Sequence, residues 1–232
     1  MKKIISRTMI ITSIICLIPF FISTIFYKSL PDQVATHFGF NGMPDGYSSK
    51  MFAAFGLPLI MLVINFISNF TIDNDPKKAN ASKRIKIIGK WTVPILSVLM
   101  QSSIIANAVG IKINISMYVS IGLGILIMII GNYLPKCKQN YTVGIKTPWT
   151  LNNEEVWNKT HKISGYLWVI GGFIITISSF IGFESIMLVV LIIIAFVPIV
   201  YSYILYKKWK IFISRWRCDI MLGSYITKHY SQ

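Results

Sequence analysis

The sequence predicts an all-α, polytopic membrane protein with six transmembrane helices and both termini in the cytoplasm. The 232-residue chain is 54% hydrophobic and only 13% charged, whereas soluble domains carry roughly a quarter charged residues. Six apolar runs without a charged residue are each about 20 residues long, the length that crosses ~30 Å of hydrocarbon. Lys and Arg residues also gather on one side of these runs, as the positive-inside rule requires.

The six apolar runs define the predicted spans. They are Thr8–Tyr27, Met51–Ile72, Trp91–Gly110, Ile115–Leu134, Ser164–Phe183 and Ile186–Tyr206. The first run follows a basic start, as the core of a signal peptide would. Its core is too long, however, and no small-x-small cleavage site follows in "FYKSLPDQ". We therefore expect the first run to remain as a membrane anchor.

The basic residues predict the orientation. With the amino terminus inside, 20 of the 23 Lys and Arg residues fall in inner segments, and only Lys28, Lys50 and Lys112 lie outside. This asymmetry predicts that both termini are cytoplasmic. It also accounts for most of the formal net charge of +15, so we predict no direct binding of nucleic acid.

Neutral polar residues inside the spans allow two interpretations. The spans contain no Asp, Glu, His, Lys or Arg, which disfavours proton-driven transport and intramembrane aspartyl or metal-dependent proteolysis. Asn65 and Asn69 lie one turn apart in the second span, and the third span contains a cluster of Gln101, Ser102, Ser103 and Asn107. They form hydrogen bonds between helices, or they line the pathway of a small-solute transporter or channel.

Cysteine and histidine positions indicate neither a disulfide nor a metal site. Cys16 lies in the first span, Cys137 in an inner loop and Cys218 in the inner tail. No pair shares an oxidising face, so we expect no disulfide. Because no Cys/His cluster has the spacing of metal ligands, we predict neither a metal nor a cofactor.

The chain divides into three regions. Residues 1–90 comprise the first two spans, an outer loop (28–50) and a basic inner loop. Residues 91–206 comprise the other four spans and a polar stretch at 131–163, here called the signature segment. Residues 207–232 form a basic amphipathic cytoplasmic tail, in which aromatic residues are interspersed with Lys and Arg. Such a tail suits attraction to anionic lipid or docking of an acidic protein.

The outer loop, "KSLPDQVATHFGFNGMPDGYSSK", is predicted to be compact and ordered. Its "NGMPDGY" stretch has the Gly and Pro-Asp-Gly punctuation of tight turns. Asp32, His37 and Asp45 are residue types that can bind a metal. Their spacing fixes no coordination geometry, and acidic turn residues already have a structural role, so this interpretation is disfavoured.

The signature segment contains "YTVGIKTPWTLNNEEVWNKTH", more sequence detail than a simple connection between spans needs. Thr147 before Pro148 predicts an extended approach. Asn152 and Glu155 have the spacing of a capped helix start. Four residues then share one helical face: Val156, Trp157, Thr160 and His161. We therefore predict a short amphipathic helix lying in the inner interface and leading into the fifth span.

Three roles are open to this segment. It could be an anchor in which Asn140, Thr150 and His161 tie the loop to helix ends. It could be a site that faces the cytoplasm and holds a partner. It could be a hydrolase site, with His161 as base and Thr150 or Glu155 assisting. No nucleophile motif supports the third role, so we predict that the protein is not an enzyme.

Both loops resemble one family. The outer loop resembles the short module that often precedes the SdpI family of bacterial membrane immunity proteins. It matches at Pro31-Asp32, Thr36-His37-Phe38, Gly42, Pro44-Asp45-Gly46-Tyr47 and Ser49-Lys50. The signature segment resembles the family's own motif. It matches at Gly131-Asn132, Pro135-Lys136, Lys138, Asn140, Gly144-Ile145, Thr147-Pro148-Trp149-Thr150-Leu151, Val156-Trp157 and Thr160-His161. Lys146 departs from the resemblance, which leads us to expect Arg, and Lys cannot fully replace a two-pronged Arg contact.

The resemblance covers roughly the first 206 residues and implies a function based on binding. It implies a bacterial cell-membrane immunity protein that protects the cell against an exported toxic peptide. It also implies a receptor that captures a cytoplasmic transcriptional repressor. The partners would be membrane lipid, the peptide and the repressor. The accessible candidates for the peptide are Asp32, His37, Asp45 and Tyr47. The candidates for an inner partner are Asn140, Lys146, Thr147, Trp149, Thr150, Trp157 and His161, together with the basic tail.

Overall fold

A computed structural model confirms the six predicted spans. It describes residues 6–39, 43–77, 80, 83–111, 114–183 and 185–229, with side chains described as far as Phe212. Within that part of the chain, six helices are long and apolar enough to cross a membrane. The helices are α1 (Arg7–Phe26), α2 (Leu57–Asp73), α3 (Lys83–Ala108), α4 (Ile115–Tyr133), the short α5 (Pro148–Asn152), α6 (Glu154–Phe180) and α7 (Ile186–His229). The protein is a multi-pass membrane protein.

Successive spans run in opposite directions, which separates the two candidate regions. The outer loop lies at one end of the bundle, here called the hairpin end. The connection between α4 and α6 lies at the other, here called the loop end. Helix α7 continues from the sixth span into the basic tail as far as His229. Cys218 lies beyond the residues whose side chains are described.

The outer loop forms a β-hairpin, which adds a two-stranded sheet to the predicted all-α fold. Strands β1 (Gln33–Phe38) and β2 (Pro44–Ser49) pair antiparallel, with irregularities in the pairing on both sides of His37. The expectation of a tight turn at Pro44–Gly46 was wrong, because these residues belong to β2. Asn41 and Gly42, the other predicted turn residues, lie outside the described residues.

Polar side chains in the spans hydrogen-bond between helices. The Gln101 amide of α3 donates to the Ser23 hydroxyl of α1 and to the Ala53 carbonyl, both at 2.9 Å. Asn65 and Asn69 of α2 donate to hydroxyl groups of α1 at 3.1 and 3.2 Å. The hydrogen-bonding interpretation is therefore confirmed for these three residues, and it joins the first three spans.

A buried ion pair lies just beyond the predicted spans at the loop end. The Lys90 ammonium of α3 lies 2.6 Å from the Asp73 carboxylate at the end of α2, and 3.1 Å from the Ser6 hydroxyl before α1. The Lys90 side chain is only 6% exposed. A buried charge is costly unless it is paired, so this contact fixes the ends of three helices together.

Helices α4 and α6 pack closely through glycines. A Cβ atom at Gly172 would lie 2.5 Å from the Gly124 carbonyl oxygen, and one at Gly165 would lie 2.9 Å from the Gly131 oxygen. No larger residue fits without moving a backbone. Small residues that allow such approach are typical of helix interfaces in membranes.

The predicted orientation can be tested with single cysteines in a chain whose natural cysteines have been replaced. Met43→Cys at the hairpin end, where the native side chain is 65% exposed, should react with a membrane-impermeant maleimide on intact cells. Lys138→Cys at the loop end should react only after the cells are opened. Labelling of Lys138→Cys on intact cells would show that the orientation is the opposite of the predicted one. The cysteine-free chain provides the background signal.

Candidate functional site

The connection between α4 and α6 folds onto the first turns of α6. The four residues predicted to share a helical face are all buried there: Val156 is 2% exposed, and Trp157, Thr160 and His161 are 0% exposed. The shared face is thus confirmed. The separate interfacial helix was a wrong prediction, because α6 runs unbroken from Glu154 to Phe180.

The start of α6 differs from the prediction by one residue. Asn153, and not Asn152, caps the helix, since its side-chain oxygen accepts a hydrogen bond from the Val156 amide at 2.9 Å. Asn152 is instead the last residue of α5. Glu155 does not reach back to the cap, because its carboxylate pairs with Lys159 at 2.6 Å.

Thr147 and Thr150 form the capping box of α5. Thr147 is extended as predicted (φ −117°, ψ 159°), and its side chain accepts from the Thr150 amide. The Thr150 hydroxyl accepts from the Thr147 amide and donates to the Ile145 carbonyl, both at 2.9 Å. Thr150 is fully buried, so its hydroxyl is used inside the loop.

Trp157 and His161 hold the loop against α6. The Trp157 indole N–H donates to the Cys137 carbonyl at 2.6 Å, and the two rings stack with centroids 4.0 Å apart. His161 Nδ1 lies 2.8 Å from the Trp157 carbonyl, and its Nε2 lies 3.0 Å from the Ile145 amide. A backbone amide can only donate, so Nε2 accepts and Nδ1 carries the proton. The geometry therefore defines a neutral ring with both nitrogens engaged.

Gly144 is required where the loop passes over these two rings. Its φ is +118°, and a Cβ atom there would lie 2.4 Å from His161 Nε2 and 3.1 Å from Trp157. An L side chain rarely adopts this backbone conformation. Gly144 therefore lets the main chain approach His161 closely enough for the bond to Ile145.

Asn140 shapes the preceding turn. It is fully buried, and its side-chain oxygen accepts from the Thr142 and Val143 amides at 3.0 and 2.7 Å. Its amide group donates to the Lys138 carbonyl at 2.9 Å. Asparagine favours such local turns because its side chain can satisfy nearby backbone groups.

Sequence reasoning missed the contribution of the connection between α2 and α3. The Asp75 carboxylate accepts from the Tyr141 amide at 2.9 Å and the Thr142 hydroxyl at 2.7 Å. The Lys77 ammonium donates to the Gln139 side chain at 2.8 Å. We call these five residues the Asp75 cluster. A signal was present, because Asp75 is one of only eight acidic residues and lies in an otherwise basic loop.

Cys137 lies beneath this cluster and is only 2% exposed. Burial raises the pKa of its thiol to about 11, and the opposing effect of the hydrogen bond from Asn140 is smaller. Cys16 and Cys137 are both free. The thiolate is the reactive form, so Cys137 is chemically protected while the loop stays closed.

The remaining inner candidates lie nearer the surface. Trp149 donates its indole N–H to the Ser202 hydroxyl of α7 and meets the Tyr203 ring edge-on, with centroids 5.4 Å apart. It therefore attaches α5 to the last span. Lys146 is exposed, and Tyr141 is 46% exposed, so these two are accessible to a partner.

At the hairpin end, the structure brings together two of the four outer candidates. His37 and Asp45 lie 2.5 Å apart, with side chains 75% and 52% exposed. Asp32 lies at the opposite end of β1, where its carbonyl accepts from the Lys50 amide. Tyr47 is 60% exposed. Among the described residues, no group of three His, Cys, Asp or Glu side chains could hold a metal ion.

Comparison with known proteins matches both parts of the chain. Residues 136–202 match the model of the SdpI/YfhL protein family. Residues 14–62, which include the hairpin, match a domain of unknown function, DUF1648. The resemblance inferred from the two loops is thereby confirmed.

One curated relative extends over most of the chain. The protein is 29% identical over 202 residues to Immunity protein SdpI of Bacillus subtilis (strain 168), covering 86% of this chain and 96% of that protein. No solved structure gives a significant match. The chain is thus a multi-pass bacterial membrane protein whose similarity to SdpI includes both the hairpin end and the loop end.

The requirement for Gly144 predicts a large effect of one methyl group. Gly144→Ala should lower the free energy of unfolding of the full chain in micelles by about 1–3 kcal/mol more than Gly110→Ala does, because overpacking is added to the backbone strain. Gly110 is a matched control: its φ is +79°, but nothing lies within 4 Å of its added Cβ. Equal losses in the two variants would contradict the close approach.

The Asp75 cluster predicts the reactivity of Cys137. In a chain carrying Cys16→Ala and Cys218→Ser, alkylation of Cys137 at pH 8 should be slow, because the thiol is buried and protonated well below its pKa. Asp75→Ala should accelerate labelling about tenfold or more, since hydrogen bonds to a charged group contribute about 1.5–3 kcal/mol. Asp32→Ala is the control. Equal acceleration of labelling by both changes would contradict the protection of Cys137 by the Asp75 cluster.

Proposed function

We propose that the protein is a membrane immunity protein that protects the cell against an exported toxic peptide by binding it. The observation that carries this proposal is the extent of the similarity to Immunity protein SdpI. It covers 86% of this chain and so includes the hairpin, the bundle and the loop end together. A function that used only one of these parts would not require them in one chain.

Binding fits the loop end better than catalysis does. Both nitrogens of His161 are engaged, and the ring is fully buried. A general base needs a free lone pair within reach of the substrate. Thr150 is likewise buried, with its hydroxyl engaged in the loop. The relative's name, an immunity protein, agrees with a binding role.

A small-solute transporter or channel is the alternative function, and the polar residues of the spans argue against it. Gln101, Asn65 and Asn69 are each at most 3% exposed and donate hydrogen bonds to neighbouring elements. Opening a pathway along them would break contacts that join α1, α2 and α3. Solute flux in proteoliposomes is the measurement that would favour transport.

We also propose that the loop end holds a cytoplasmic partner, such as a transcriptional repressor. The packing of the loop supports this proposal. Its buried residues fix the backbone, while Lys146 and Tyr141 remain exposed on the outside of that fixed backbone. A rigid surface loses little conformational entropy on binding. In this proposal Thr150, Trp157 and His161 position the surface and do not contact the partner.

Immunity can be tested by transfer to Bacillus subtilis. A strain lacking SdpI and producing this chain should survive co-culture with its SdpI-bearing parent better than the same strain with an empty vector. The peptide should be recovered intact from the medium. Trp157→Leu should abolish the benefit, because it removes the stacked ring and the N–H that fix the loop. Trp209→Leu, in the tail, is the matched control.

Abundance in the membrane must be measured for each variant, since loss of the protein would also abolish survival. Equal survival with and without the chain would refute protection in this host. Survival accompanied by cleavage of the peptide would favour an enzyme instead. Recruitment of a soluble repressor to the membrane is scored separately, with Lys146→Glu as the variant that changes only the exposed surface.

A further inference from the structure

A cleft at the hairpin end lies between the hairpin and three membrane spans. It has a volume of about 210 Å³ and is lined by residues of β1, by the hairpin ends of α3 and α4, and by Met187 at the start of α7. Strand β1 lies within the 14–62 match, and Met187 lies within the 136–202 match. The cleft therefore combines residues of both matched segments with residues of α3 and α4, which lie between them in the chain.

The walls of the cleft suit an apolar side chain. Phe38, Met100, Ile104 and Val119 contribute apolar surface. The Ser103 hydroxyl, which sequence analysis placed among the possible site residues, donates to the Leu99 carbonyl of its own helix at 2.8 Å. An apolar cavity of about 150 Å³ holds benzene, so this cleft has room for one large aliphatic or aromatic side chain.

A carboxylate lies beside one of the residues that line the cleft. His37 lines the cleft, and its Nδ1 lies 2.5 Å from the Asp45 carboxylate on β2. Gly46 lets the strands approach there, because a Cβ atom on it would lie 2.9 Å from the His37 Cβ. The His37 and Asp45 side chains are both exposed, so a ligand in the cleft can reach them.

We propose that this cleft binds the exported peptide: one apolar side chain of the peptide inserts between β1, α3 and α4, and an adjacent cationic group faces Asp45. The inference rests on the proposed function and names the chemistry of its ligand. An apolar pocket supplies contact area, and the Asp45 carboxylate beside the lining residue His37 supplies charge complementarity. A lipid acyl chain shares only the first of these features.

Filling the cleft tests the proposal in cells. Val119→Trp places a large ring in the cleft, whereas Tyr118→Trp changes the neighbouring residue, which is 47% exposed and is not a lining residue. At equal abundance, Val119→Trp should reduce survival in the co-culture to the vector level, and Tyr118→Trp should retain it. Equal protection by both variants would contradict peptide binding in the cleft, while leaving the proposed immunity function intact.

A labelling experiment tests the cleft independently of immunity. The full chain, with Ser116→Cys as its only cysteine, is placed in nanodiscs of phosphatidylglycerol and phosphatidylethanolamine and treated with a water-soluble maleimide. The probe is a synthetic peptide of leucines and one tryptophan flanked by lysines. At a peptide concentration that occupies about nine-tenths of the sites, it should slow labelling about tenfold, because only about one-tenth of the cysteines remain free. Met43→Cys, at the hairpin tip, should be unaffected.

Two comparisons identify the occupant. A twin peptide flanked by glutamates should protect Ser116→Cys less than the lysine peptide does. Asp45→Asn should weaken protection by the lysine peptide roughly two- to fivefold, an effect typical of an exposed charge pair. Equal protection by both peptides, or none by either, overturns the proposal. If Ser116→Cys is unreactive in nanodiscs before any peptide is added, yet reactive in detergent, the occupant of the cleft is lipid. That result would also overturn the proposal.

Discussion

The close packing of α4 on α6 is the constraint on which the loop end depends. Gly124 and Gly131 bring the backbone of α4 against Gly172 and Gly165 of α6 at distances that exclude a Cβ atom. This contact fixes where α4 ends and where α6 begins. The residues between them must therefore turn within a short distance, and they do so by folding back over the first turns of α6.

The backbone of that return is satisfied by its own side chains. Asn140 closes one turn, Thr147 and Thr150 close another, and Asn153 caps α6. At a membrane boundary an unsatisfied amide or carbonyl group is costly, so irregular backbone needs this density of polar side chains. Trp157 and His161 complete the arrangement, because their buried rings on α6 hydrogen-bond to the backbone of the loop.

The Asp75 cluster makes the two halves of the chain one structure. It attaches the segment that follows α2 to the signature segment at one face, while the hairpin leads into α2 through a π-helical turn (Phe52–Gly56) at the other. At the hairpin end the same two halves meet again around the cleft. Helix α2 therefore connects the hairpin end of the bundle to the loop end.

The sequence by itself determined the six spans and the pairing of an outer module with the signature segment. It also identified the buried face of Val156, Trp157, Thr160 and His161. The spans and the buried face follow from local composition and helical periodicity, which a single chain displays directly, whereas the pairing of the two loops was inferred from a family resemblance. The hairpin was less accessible, because Pro44 and Gly46 usually mark turns, and only pairing with β1 makes them a strand.

Tertiary structure alone decided which residues act together. Asp75 and Tyr141 are 66 positions apart, and His37 lines one cleft with residues of α3, α4 and α7 that no local pattern connects to it. It also decided that His161 is enclosed: the same residue could have been an accessible base, an anchor or a contact. Its role was fixed only when Gly144 brought the Ile145 amide to its second nitrogen, because burial and hydrogen-bond partners are properties of the fold and not of the residue.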